Sequence, residues 1–184
     1  MQTYKAPVRD IRFCLETMGY DKVAGFSKFE DYDLDTLMSI VEVAGNFCAN
    51  EMLPTNATAD QEGVQYNPET MEVTTPKEFK ELWAKFREGE YSAMPHPPEY
   101  GGHGAPMTLA FIMSELSTAT NKSFSMCPGL TQGLVDALIH WGSEEQKKTY
   151  LPPLISCEYT GTMCLTEPQC GTDLGLLSTK AEPM

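Results

Sequence analysis

Thr166, Glu167, Gly171, Thr172 and Asp173 fall close together near the end of the chain, inside the run Gly161-Thr-Met-Cys-Leu-Thr-Glu-Pro-Gln-Cys-Gly-Thr-Asp173. Hydroxyls, a glycine and free backbone amides at this density suit a flat ligand with a polar rim. The hydroxyls donate and accept, and a residue without Cβ lets the main chain come close. Apolar and small side chains alternate over 162–165, which predicts a short half-buried strand that Pro168 breaks into a turn around Gly171. On residue types alone, the same letters also spell an ordinary threonine-rich β-turn. Glu167 and Asp173 are expected to hold that turn through side-chain-to-backbone hydrogen bonds, not to act as acids.

A second pattern lies upstream. Met126, Gly129, Leu130 and Gly133 recur at i, i+3, i+4 and i+7, one stripe of a helix. Two glycines in such a stripe either let a neighbouring helix approach or leave a space, with Met126 as a flexible, polarizable wall. Metal and disulfide chemistry find no support. The six cysteines (14, 48, 127, 157, 164, 170) contain no C-x-x-C pair, and the three histidines (96, 103, 140) lie at no matching spacing. No metal site is expected, and the cysteines read as small buried fillers in a reducing compartment. His103 reads as an exposed loop residue.

The elements that must position these residues are mostly helical. A short helix is expected to open near Pro7 and end at Gly19. A stronger one starts at Asp33 or Asp35, with Leu34, Leu37, Met38, Val41, Ala44, Phe47 and Cys48 at helical intervals, and is expected to end at Pro54. Residues 55–75 are polar and aperiodic and read as a surface connection. Pro76 leads a helix carrying Phe79, Leu82, Trp83 and Phe86 on one face. A Pro/Gly loop over 91–105 precedes a helix opened by Pro106 and ended by Asn121. A long helix from about Phe124 to Trp141 follows. Gly142 and Ser143 then separate it from a short helix predicted to stop at Pro152-Pro153. Only from Tyr159 does the period become strand-like.

The chain has 184 residues, a net charge of −13, 41% hydrophobic and 21% charged residues. The acidic balance argues against nucleic acid and anionic membranes as partners. No apolar run reaches transmembrane length, and the N-terminal sequence lacks the plan of a signal peptide. A soluble cytoplasmic protein is expected.

Three segments then share one resemblance. Pro97-Pro98-Glu99-Tyr100-Gly101-Gly102-His103-Gly104 resembles the P-E-x-Y-G-G-x-G loop of the acyl-CoA dehydrogenase family. Gly142-Ser143-Glu144-Glu145-Gln146-Lys147-Lys148 with Tyr150-Leu151-Pro152-Pro153-Leu154 is similar to that family's G-[ST]-E-E-Q-K-x-x-Y-L-P-x-L helix. The run from Thr166 to Asp173 resembles its flavin-binding T-E-P-x-x-G-[ST]-D signature. The order and spacing match over roughly residues 76–183. Tyr4 to Phe13 is similar to an extension found on a bacterial branch of the family.

The resemblance implies a mainly α fold: an acyl-CoA dehydrogenase-like N-terminal helical domain followed by the first strand of a β-domain. The implied division is an N-terminal extension over 1–32, an all-α domain over 33–157 and the start of a middle β-domain over 158–184. It implies FAD as cofactor, with the backbones of Met163 and Leu165 at the flavin edge, Thr166 near its reactive side, Gly171 allowing close approach and Thr172 bonding the pyrophosphate beside the acyl-CoA. Thr172 stands where the family usually has Ser and keeps the hydroxyl. Met163 stands where many relatives carry an aromatic residue. The stripe of Met126, Gly129, Leu130 and Gly133 corresponds to the wall of the acyl-chain cavity.

The implied reaction is α,β-dehydrogenation of an acyl-CoA thioester with electrons passed to an electron-transfer flavoprotein. A short or sulfur-containing acyl group such as 3-(methylsulfanyl)propanoyl is favoured. The general-base Glu is expected beyond residue 184, so this chain carries no catalytic residue of its own and is expected to be inactive alone. A homodimer or homotetramer is implied. Rival readings are a same-fold flavin monooxygenase or nitroalkane oxidase, and a non-catalytic helical interaction module.

Overall fold

The structure, a computed structural model, describes residues 3–182. Helix α1 (Val8–Met18) starts directly after Pro7 and ends at left-handed Gly19, where the amides of Gly19 and Tyr20 bond back to the carbonyls of Glu16 and Leu15. A single turn, α2 (Asp21–Ala24), leads on to α3 (Leu34–Phe47). Asp33 caps α3, its carboxylate accepting the Thr36 amide at 2.7 Å. Such a cap satisfies an otherwise orphaned N–H. Leu37, Met38, Val41 and Ala44 form the buried stripe of α3, as their spacing predicts.

Pro54 does not end the run. The chain passes from α3 through a five-residue π turn, Cys48–Met52, straight into α4 (Leu53–Glu62). Pro54 sits in the first turn of α4, directly after the π turn, and costs the continuous run one backbone donor. The second half of the expected surface connection is an exposed antiparallel hairpin, β1 (Gln65–Asn67) with β2 (Glu72–Thr74), in register Tyr66 with Val73. Its shortness hides it from any period count.

Helix α5 (Lys77–Glu88) buries Leu82 and Phe86, and α6 (Met107–Thr120) buries Leu109, Ile112 and Leu116. Asn121 ends α6 and caps α7 (Lys122–Trp141), its side-chain oxygen accepting the Phe124 amide at 3.0 Å. Ser143 opens α8 (Glu144–Ile155) with a reciprocal capping box to Gln146. Helix α8 continues through Pro152 and Pro153 to Ile155. The two missing backbone donors are offset by burial of Leu151, Leu154 and Ile155.

One core gathers α1, α3, α5 and α6 around Leu37, Val41, Leu109 and Leu116, together with the ring of Phe124. A smaller one joins α7 to α8 through Val135, Leu151, Leu154 and Ile155. Helix α7 therefore spans both, with Phe124 in the first and Val135 in the second. The N-terminal segment shares the main core: Ile11, Leu15 and Tyr20 are buried in it. Gly45 of α3 allows the segment to cross, since a Cβ there would lie 2.6 Å from that of Ala6.

Candidate functional site

A cavity of about 420 Å³ opens between the π turn, α6 and α7. That volume lies at the small end of the range for ligand sites. Phe47, Cys48, Met52, Phe86 and Phe124 line its deep part, and Met107 and Phe111, both substantially exposed, lie toward solvent. Helix α7 contributes Ser125, Gly129, Gln132, Gly133 and Asp136, again at helical intervals. A Cβ built at Gly129 or Gly133 meets no atom within 4 Å. These glycines leave a space; they do not let a neighbouring helix approach. Gln132 is held by its side-chain amide, which donates to the carbonyl and hydroxyl of Ser92 at 3.2 and 3.3 Å.

Among the described residues no Lys or Arg lines the cavity, and Asp136 is its one acid. An anionic head group would find no partner inside. A neutral, mostly apolar chain would fit.

The cavity stripe lies one step round α7 from the one the spacing predicts. Gly129 and Gly133 line the cavity; Met126, exposed, and Leu130 do not. The residues that the sequence reading missed are Cys48, Met52, Phe111, Gln132 and Asp136. Only Cys48 and Met52 carried a signal, two sulfur side chains four residues apart at the end of a strong helix.

The segment after residue 160 is built differently. Residues 161–166 form no regular element and have no ladder partner among the described residues, and the closed turn falls at Pro168-Gln169, not around Gly171. Glu167 and Cys170 exchange both backbone bonds across that turn, at 2.9 and 3.1 Å. A strand needs a neighbour, and none is present to pair with 162–165. Among the described residues the backbone amides of 162–166 have no main-chain acceptor, and residues 162–166 are exposed.

Two anchors fix the segment. Gly161 donates its N–H to the Thr131 hydroxyl at 3.0 Å and lies against α7, where a Cβ would meet Leu134 at 2.9 Å. Further on, the Glu167 carboxylate accepts the amides of Ser178 and Thr179 at 3.0 and 2.9 Å, together with both hydroxyls. These donors, led by the Thr179 hydroxyl, pull its pKa down to about 2. Asp173 accepts the Gly175 amide at 3.2 Å. Both acids hold turns.

Met163, Leu165, Thr166, Gly171 and Thr172 are all exposed along this segment. A Cβ at Gly171 would lie 3.9 Å from the Thr166 methyl, so the two positions face each other across the turn. His103 is exposed, with Nε2 at 2.9 Å from Glu90. Cys14, Cys127 and Cys164 are exposed as well; only Cys48, Cys157 and Cys170 are the buried fillers that the sequence suggests.

The chain matches the family profile described as acyl-CoA dehydrogenase, N-terminal domain, over residues 35–158. It is 36% identical, over 98% of its length, to 3-methylmercaptopropionyl-CoA dehydrogenase of Ruegeria pomeroyi, and covers 31% of that protein. Butyryl-CoA dehydrogenase of Syntrophomonas wolfei is 29% identical over 99% of the chain, which covers 30% of it. Among solved structures, the acyl-CoA dehydrogenase of Geobacillus kaustophilus superimposes with a TM-score of 0.65 at 22% identity, over 80% of this chain and 35% of that one. The chain spans about a third of the length of the relatives it matches.

Proposed function

This chain belongs to the acyl-CoA dehydrogenase family, and we propose that it supplies the acyl cavity and one wall of a flavin site for α,β-dehydrogenation of an acyl-CoA thioester. The observation that carries this reading is the double role of α7. One face, with Gly129 and Gly133, opens a mostly apolar cavity, while Thr131 and Leu134 anchor the segment that bears Thr166 and Thr172. Acyl chain and cofactor edge would then meet on the same rigid helix, which fixes their relative position.

In this reading the amides around Met163 and Leu165 hold the cofactor's polar edge, and the Thr166 hydroxyl donates to its reactive side. Gly171 lets the main chain approach, and Thr172 bonds the pyrophosphate of FAD and contacts the CoA ester. Bound there, FAD supplies the acceptor for the hydride that leaves the β-carbon. Asp136 is not assigned the α-proton. That task goes to a carboxylate in the part of the relatives' length that this chain does not cover.

Electrons are proposed to pass to an electron-transfer flavoprotein, with the protein acting as a soluble cytoplasmic homodimer or homotetramer. The substrate proposed first is 3-(methylsulfanyl)propanoyl-CoA, supported by the likeness to the Ruegeria 3-methylmercaptopropionyl-CoA dehydrogenase and by the small cavity. The test is an anaerobic titration of the protein in its natural length with a panel of acyl-CoA esters. Bleaching of the flavin absorbance by short or thioether esters is expected. A flavin that no CoA ester bleaches, or a protein purified at natural length with no flavin, would remove the dehydrogenase reading.

A further inference from the structure

The deep part of the cavity carries two sulfur atoms placed by an unusual piece of backbone. Cys48 and Met52 open and close the π turn, and π turns inside helices often mark functional positions. Both residues are almost wholly buried and both line the cavity. The Cys48 thiol donates to the Met52 sulfur at 3.6 Å.

Their position is fixed from behind. The side-chain amide of Asn121 donates to the Thr55 hydroxyl at 2.9 Å, and that hydroxyl donates to the Met52 carbonyl at 2.8 Å. Asn121 is itself fully buried and locked as the cap of α7. The corner between α6 and α7 thereby sets where the π turn presents its sulfurs. Around them stand the rings of Phe47, Phe86, Tyr91 and Phe124; Phe47 and Tyr91 lie 4.6 Å apart by centroid, and Phe86 and Phe124 5.8 Å.

Such a floor discriminates by polarizability. A thioether sulfur makes favourable contacts with ring edges and with other sulfurs, and it accepts a weak S–H donor. A methylene of the same size makes only ordinary dispersion contacts. The Cys48 thiol bond to Met52 is weak, so the proton can turn toward a ligand sulfur at little cost. Burial pushes the Cys48 pKa up to about 11, which keeps that proton on the sulfur near neutral pH.

Resting on the assignment of this cavity to the acyl chain, we infer that Cys48 and Met52 select the far end of that chain, favouring a thioether over a methylene at the same position. The selection acts on binding and leaves the bond chemistry unchanged.

The test uses the holoenzyme in its natural length and two esters of equal chain length, 3-(methylsulfanyl)propanoyl-CoA and pentanoyl-CoA, which differ only by sulfur for methylene. Anaerobic bleaching gives kcat/KM for each. Calorimetry on the chemically reduced holoenzyme, which cannot oxidise the ester, gives each Kd. The wild type is expected to bind the thioether about three- to tenfold more tightly. Met52→Leu, which keeps the volume, and Cys48→Ala should each bring that ratio below about twofold, with most of the loss on the thioether ester. Equal Kd values in the wild type would overturn the inference. So would an unchanged ratio in Met52→Leu, which decides the matter even where Cys48→Ala fails to fold. If neither ester bleaches the wild-type flavin, the dehydrogenase reading falls and this inference with it. A bleaching enzyme without thioether preference sinks only the inference.

Discussion

The helical body and the segment after residue 160 solve opposite problems. In the body, Leu37, Val41, Leu109 and Leu116 are completely buried, and the cavity is the space that packed helices leave beside two glycines. In the segment, Met163, Leu165, Leu174 and Leu176 are exposed, and shape comes from one anchored glycine and one carboxylate. A cavity for an apolar chain needs walls that do not move, which dense packing provides. The segment is instead held at two points, the Gly161 amide and the Glu167 carboxylate. The contrast separates shape from presentation.

Truncation in the body should have the largest effect. Leu37→Ala is expected to cost about 2–5 kcal/mol in denaturant unfolding, against about 0.5 kcal/mol or less for Leu176→Ala. Equal costs would erase the contrast.

At the joint between the regions, Thr131→Val removes the acceptor of the buried Gly161 amide, for an expected loss of about 1–3 kcal/mol. Amide exchange should report faster opening at Gly161 than along α7. Uniform loosening of both would mean that the segment is not separately anchored.

Gly133→Ala sharpens the comparison from the cavity side. The new methyl meets nothing, so the helix should gain about 0.5–1 kcal/mol while acyl-CoA binding weakens. A destabilised variant would show that the space is not free.

The smallest expected effect is local and set by pH. The Glu167 pKa falls from its ordinary 4.5 to about 2 in the folded chain. Its contribution is therefore complete above about pH 4.5 and lost as pH falls toward about 2. Protection of the Ser178 and Thr179 amides should fade in that window and show no such dependence in Glu167→Gln. Fading at the same pH in the variant would assign the effect to another group.

Much of the body was legible because its signals are local. Asp33, Asn121 and Ser143 cap the next helix through hydrogen bonds made within three residues. The misreadings share a cause. Pro54 and the pair Pro152-Pro153 read as stops, yet one falls in a first turn and the others lie where burial outweighs two missing donors. The hairpin at 65–74 is too short to show a period. On α7, the apolar letters Met126 and Leu130 suggested the cavity face, whereas Ser125 and Gln132 occupy it. Residue type does not reveal which side of a helix its neighbours leave open.

The helix starts, the turn-forming roles of Glu167 and Asp173 and the family resemblance are legible in the chain alone, because each signal sits within a short run of residues or, for the resemblance, within three such runs. Packing established that Gly129 and Gly133 open a space, that a π turn brings Cys48 and Met52 to its floor, and that Thr131 anchors Gly161. Those facts depend on residues 30 or more positions apart in two of the three cases, Gly161 with Thr131 and Met52 with Asn121 through Thr55. Contacts of that range are set when whole helices pack, which no local pattern encodes.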